Sequence, residues 1–203
     1  MVKVKICGLR RKEDIEYANE LKPDYVGFVF AKSKRQIEVE QALDLISLLD
    51  KEIKTVGVFV NEPVENVLKI AQTLNLDVLQ FHGDETQDYV DNFKNFTVWK
   101  AIRIKDKEDL EKTKEFRVNS FVFDTLTKKE YGGTGKTFNW EVLKGFELNV
   151  PIILAGGLNE NNVEEAIKIV NPYGVDVSSG VETEGYKDFK KLKSFIEKVR
   201  GIR

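Results

Sequence analysis

The chain holds one cysteine and one histidine in 203 residues, so apart from its carboxylates few groups can move protons near neutral pH. Cys7 closes a β-branched run, Val2 to Ile6. Strand alternation sets Lys3, Lys5 and Cys7 on one face and Val2, Val4 and Ile6 on the other. Lys5 is then one side-chain repeat, about 6.6 Å, from Cys7, where its charge favours a thiolate able to act as base or nucleophile. Asp124 closes another apolar run, Ser120 to Phe123. A carboxyl sharing a pocket with a thiolate, with Phe121 and Phe123 beside it, is expected to hold its proton to a higher pH than usual, as a general acid requires. One acid and one base in one pocket is equipment for proton transfer. Taken singly, each residue also has a plainer reading: a lone cysteine as a small buried hydrophobe, a strand-end aspartate as a turn cap.

Other residues suit anions. The segment Leu126 to Phe138 carries Gly132, Gly133, Gly135 and Lys136 directly after Asp124. Clustered glycines let backbone N–H groups approach an anion closely, and long loops in compact domains are usually functional. This loop is expected to grip phosphate and to close as a lid. It is not a nucleoside-triphosphate loop, because the first glycine of that pattern would fall on Glu130, nor a dinucleotide loop, because the last would fall on Phe138. Ala155-Gly156-Gly157-Leu158 precedes a helix expected to begin near Asn159, and Ser178-Ser179-Gly180 follows another strand. Arg35, in Lys32-Ser33-Lys34-Arg35, offers a planar fork for a carboxylate or phosphate. His82 follows Leu79-Gln80-Phe81, where lining a pocket competes with simple backbone hydrogen bonding. With no second histidine and no Cys/His/Asp/Glu group at zinc-site spacing, no metal site is expected.

These residues need a scaffold, and the sequence alternates from end to end between strand-like and helix-period segments, the pattern of βα units around a parallel sheet. The strand candidates are Val2 to Ile6, Asp24 to Phe30, Lys54 to Val60, Asp77 to Phe81, Thr97 to Ile102, Ser120 to Phe123, Pro151 to Ala155 and Gly174 to Val177. Val39, Ala42, Leu43, Ile46 and Leu49 fall at helical spacing, as do Val64, Val67, Leu68, Ala71 and Leu74, then Val163, Ala166, Ile167 and Val170, and finally Leu192, Phe195, Ile196 and Val199. Eight strand–helix pairs match a compact, single-domain (β/α)8 TIM barrel over residues 1–203, with an open doubly wound sheet as the competitor. The candidate residues favour the barrel, because Cys7, Arg35, His82, Asp124, Gly156, Gly157, Ser179 and Gly180 all sit where strands end, the rim on which barrels collect their sites. Loops after strands seven and eight often hold phosphate there.

Hydrophobic residues make up 41% of the chain, enough for a core, and the net charge is −2 with both signs interspersed. Nucleic acid is therefore not an expected partner, and the apolar runs are too short to span a membrane. A strand-like start at Val2 leaves no room for a leader peptide, and a single cysteine cannot form an internal disulfide, so a reducing cytoplasm is expected. Oligomeric state stays open, since stripes that cover a barrel and stripes that meet a partner look alike.

Taken in order, Lys5-Ile6-Cys7-Gly8, Val26 to Phe30 with Lys32, Ser33 and Arg35, Val56 to Val60, Leu79-Gln80-Phe81-His82-Gly83, Asp124, Gly132 to Lys136, Gly156-Gly157-Leu158, Val175 to Glu182 and Gly185 to Asp188 resemble the phosphoribosylanthranilate isomerase family, of the ribulose-phosphate-binding barrel group. The likeness covers nearly the whole chain; Phe81 stands where the family more often has leucine. The resemblance implies an Amadori rearrangement of N-(5-phospho-β-D-ribosyl)anthranilate in tryptophan biosynthesis, with a small phosphoribosyl substrate and neither metal nor organic cofactor. It implies Asp124 as acid, Cys7 as base, Arg35 on the anthranilate carboxylate, Gly156, Gly157, Ser179 and Gly180 around the phosphate, and His82 and Asp176 lining the pocket. The alternatives are a histidine-pathway aminoribosyl-phosphate isomerase, which resembles a two-aspartate design, and a non-catalytic phosphosugar-binding barrel.

Overall fold

In the computed structural model, which describes residues 1–125 and 140–202, eight parallel strands close a barrel in sequence order. They are β1 (Lys3–Cys7), β2 (Tyr25–Val29), β3 (Lys54–Phe59), β4 (Val78–Phe81), β5 (Thr97–Ile104), β6 (Ser120–Thr125), β7 (Ile152–Ala155) and β8 (Gly174–Val177). β8 pairs with β1, Lys5 opposite Asp176, which removes the open-sheet alternative. The expected lid loop, with Gly132, Gly133, Gly135 and Lys136, lies outside the described residues.

Alternation divides the buried side chains into two layers. Val4, Ile6, Phe28, Phe59, Phe81 and Phe123 point outward into the core between sheet and helices. Cys7, Val56, Val58, Trp99, Val122 and Ile153 point inward and fill the barrel. Lys5, Gln80 and Asp176 are buried polar residues on inward-facing positions. Phe121 and Phe123 belong to the outer layer, so the apolar screen expected around Asp124 faces the other way.

The helices are α1 (Lys12–Leu21), α2 (Val39–Ser47), α3 (Val64–Leu74), α4 (Gln87–Val90), α5 (Val163–Val170) and α6 (Phe189–Gly201). The α6 stripe of Leu192, Phe195, Ile196 and Val199 is buried as expected. α2 is rotated from the expected face: Ala42 and Leu45 are buried, while Leu43 is exposed. The expected eighth-for-eighth alternation fails in the middle. Between β5 and β6 the chain makes only a 3-10 helix, Glu108–Glu115, because Leu110 and Thr113 alone turn inward from a run of charges. α5 starts at Val163 rather than near Asn159. Asn162 Oδ1 accepts from the Asn159 N–H at 2.8 Å and Asn159 Oδ1 from the Asn161 N–H at 2.8 Å, side-chain turns that compete with the first helical turn.

Phe81 is fully buried and meets Phe59, Tyr89 and Phe93 at ring-centroid distances of 6.3, 5.2 and 4.9 Å. Replacing it with alanine is expected to cost about 3–5 kcal/mol, and leucine distinctly less, because most of the volume is kept; urea unfolding measures both, and equal costs would show that the aromatic cluster reorganises around the site.

Candidate active site

At the C-terminal rim of the strands lies a cavity of about 240 Å³ whose wall includes Cys7 from β1, Asp124 from β6 and Asp176 from β8. His82, immediately after β4, and the turns holding Gly156, Gly157, Ser179 and Gly180 complete much of the wall. Residues scattered along the sequence are thus gathered at one mouth, as a closed parallel barrel requires. A larger groove of about 690 Å³ adjoins it and shares His82. There, however, the buried Lys100 ammonium is held by Glu85 at 2.9 Å and the Gly83 carbonyl at 2.7 Å. Those charges are engaged in fixing the His82 loop, whereas the smaller cavity gathers Cys7, His82 and Asp124.

Cys7 is in a contested electrostatic position. Burial pushes its thiol above the ordinary value, Lys5 pulls it down by charge and hydrogen bonding, the Asp176 carboxylate adds to the rise, and Lys187 opposes it. The expected help from Lys5 is present, yet burial outweighs it. Lys5 donates to Asp176 Oδ2 at 2.7 Å, both side chains being buried. Burial works against the Lys5 ammonium, but the charges of Asp176 and Cys7 hold its pKa above the usual lysine value. Gly27, opposite Cys7 on β2, leaves the room for this arrangement: a Cβ there would lie 3.0 Å from Cys7 Sγ and 3.2 Å from Lys5 Cε. Asp176 Oδ1 is buried without a hydrogen-bond partner among the described residues.

Asp124 lies inside β6, paired with Arg103 and Ala155 of the neighbouring strands. Its Oδ2 is 2.9 Å from His82 Nε2, and His82 Nδ1 is 3.0 Å from Gln80 Nε2. Arg35 does not present an empty fork. Its Nε and Nη2 donate to the two oxygens of Glu182 at 2.7 and 2.8 Å. Lys187 donates to the same carboxylate at 2.8 Å and to the Ser178 carbonyl at 3.0 Å. Burial would raise the Glu182 carboxyl, but hydrogen bonds and charge from Arg35 and Lys187 hold it below its usual range. Gln80, Glu182 and Lys187 were not singled out from the sequence. The readable signal was a polar residue at an inward register for Gln80; the Glu182–Lys187 pair had none, because it forms across a two-residue hairpin, Glu182–Thr183 against Tyr186–Lys187.

The two glycine-bearing turns share backbone contact. Gly180 sits in a 3-10 turn, Ser179–Val181, and a Cβ built on it would fall 1.8 Å from the Leu158 carbonyl oxygen. Gly156 and Gly157 both have positive φ, 86° and 66°, which glycine tolerates without strain. The Gly157 carbonyl accepts from Asn162 Nδ2 at 3.0 Å. The loops after β7 and β8 are therefore one packed unit.

Residues 4–198 match the profile of the family described as N-(5'phosphoribosyl)anthranilate (PRA) isomerase. The chain belongs to that family. It is 97% identical over the full length of both chains to the N-(5'-phosphoribosyl)anthranilate isomerase of a Thermoanaerobacter species. The crystal structure of phosphoribosyl anthranilate isomerase from Thermotoga maritima superposes with a TM-score of 0.90 at 40% identity, each chain fully covered. A second isomerase structure, in complex with reduced 1-(o-carboxyphenylamino)-1-deoxyribulose 5-phosphate, gives a TM-score of 0.87 at 36% identity, again with full coverage of both chains. Among the described residues no helix is long and apolar enough to cross a membrane.

For this isomerase-family barrel the close approach at Gly180 makes a definite demand. Gly180→Ala is expected to lose about 1–3 kcal/mol of stability as the backbone parts from Leu158, and to weaken binding of a phosphorylated product analogue more than binding of its dephosphorylated form. Calorimetric titration with both ligands checks this; equal losses would mean that the turn does not face phosphate.

Proposed function

We propose how this chain, which catalyses the isomerisation of N-(5'-phosphoribosyl)anthranilate in tryptophan biosynthesis, divides the work among its residues. The observation carrying the reading is that Cys7 and Asp124 open on one cavity whose remaining wall includes the glycine turns. Asp124, in its protonated form, gives its proton to the furanose ring oxygen. The C1–O bond breaks and the nitrogen lone pair forms the C1=N iminium. Cys7, as thiolate, takes the proton from C2, and the electrons of that C–H bond become the C1=C2 bond of an enolamine while the iminium is neutralised. Tautomerisation of the enolamine yields the ketone, and the acid and the base exchange protons with solvent to reset. Each proton-transfer group is worth roughly 10²–10⁴ in rate.

The phosphate is held by backbone N–H groups around Gly156, Gly157, Ser179 and Gly180, a dipolar cradle suited to an anion. Arg35 meets the anthranilate carboxylate. With Nε and Nη2 on Glu182, the guanidinium is pinned at the rim, and its outer edge is the part offered to the ligand. The uncommitted Asp176 Oδ1 accepts from a sugar hydroxyl. A reducing cytoplasm suits a site that depends on a free thiol.

The sign of the pH effect at Cys7 follows from its role. A base must be deprotonated, and burial lifts the thiol above its ordinary value, so the ionisation that Cys7 contributes to the pH profile of kcat/KM is expected above the ordinary thiol range. Cys7→Ala and Asp124→Asn are each expected to fold, as judged by circular dichroism, and to lose at least about 10²-fold in kcat in a fluorescence assay of anthranilate substrate consumption. Wild-type turnover in either variant would remove that residue from its role.

A further inference from the structure

Gln80 is a buried polar side chain on the cavity wall that this mechanism leaves unused. It is 1% exposed, among an inner layer that includes Val56, Val58 and Val122, and it lines the reactive cavity. Its Nε2 lies 3.0 Å from His82 Nδ1, while its Oε1 is buried with no partner among the described residues. A half-satisfied amide in an apolar layer is a net cost to folding, so stability does not account for it.

The chain Gln80–His82–Asp124 does. Asp124 Oδ2 lies 2.9 Å from His82 Nε2. When Asp124 is a carboxylate, that contact is favourable only if Nε2 carries a proton. In a neutral imidazole the other nitrogen is then a bare acceptor, and an amide N–H donated to Nδ1 is what stabilises this tautomer. Turning the amide over would place Oε1 on Nδ1, demand a proton there, and set the lone pair of a neutral Nε2 against the carboxylate. We propose that Gln80 is a positioning residue that fixes His82 as an Nε2–H donor, so that His82 stabilises the carboxylate Asp124 becomes as it yields its proton during ring opening. Charge that develops in the transition state meets a donor already oriented for it.

The inference rests on Asp124 being the acid, and one measurement separates the two. His82 is the only histidine, so its ring nitrogens are read without assignment from a long-range proton–nitrogen correlation spectrum of histidine-labelled protein. In the wild type Nε2 is expected to be protonated and Nδ1 bare. Gln80→Leu, and Gln80→Met as the unbranched alternative, are expected to keep or raise the urea midpoint, to mix the two tautomers, and to lower kcat roughly tenfold with KM little changed. In a His82→Asn background Gln80→Leu is expected to cause no further loss, which a merely structural role would not predict. An Nδ1–H tautomer in the wild type, an unaltered kcat in both Gln80 variants, or additive losses in the double variant would overturn the proposal. Because the spectrum reads the Gln80–His82 link without turnover, full activity of Asp124→Asn beside an Nε2–H tautomer would strike down the acid assignment, and with it the catalytic use of the link, while leaving the link itself in place.

Discussion

A buried lysine–aspartate pair, Lys5 on the first strand and Asp176 on the last, joins the two ends of the barrel at 2.7 Å. Two charges withdrawn from water in this way add little net stability, and often less than apolar residues of the same volume would. What the pair does supply is a positive charge next to Cys7: alternation along β1 puts Lys5 on its side, and the closure of the sheet holds the ammonium against Asp176. The thiol is otherwise in a place that resists ionisation, because burial is the largest influence on it. Fold and chemistry are therefore coupled at one point: if β8 did not return to β1, the Lys5 ammonium would lose the buried counter-charge that helps keep it protonated beside Cys7.

Around this point the rim is organised by carboxylates that hold neighbouring side chains in place. Glu182 anchors both Arg35 and Lys187, and Asp124 is met by His82. Beyond them, Glu85 and Lys100 pin the turn after His82, with Glu85 accepting from the Asn61 and Gly83 N–H groups. Arg35–Glu182, His82–Asp124, Lys100–Glu85 and Asn61–Glu85 join different strands or the loops after them, while Glu182–Lys187 closes one hairpin. The site is thus held by the same connections that keep neighbouring βα units in register.

Much of this was legible in the amino-acid order because barrel geometry turns strand ends into a shared address. Cys7, His82 and Asp124 follow from where apolar runs stop, and all three line one cavity. The outer and inner layers follow from the period of two, which places Ile6 outside and Cys7 inside. Two kinds of feature did not follow. One is helix content, because a connection such as Glu108–Glu115 takes its shape from how little apolar surface it can bury. The other is pairing at long range: nothing near Arg35 in the sequence announces Glu182, whereas the outward turn of Phe121 and Phe123 follows from the same period of two that sets Asp124 on the inner face. Electrostatic balance is equally a property of three dimensions, since Lys5 one repeat away from Cys7 says nothing about the burial that opposes it.

The most direct test of this account is the ionisation of the single thiol, followed by the rate of alkylation of Cys7 against pH in the wild type and in a Lys5→Met, Asp176→Asn double variant, which removes the pair without stranding a buried charge. The account predicts a wild-type midpoint above that of an ordinary thiol, about 8.5, and a midpoint higher still in the double variant, since Lys5 acts on Cys7 more strongly than Asp176 does. An unchanged or lower midpoint in the double variant would contradict it.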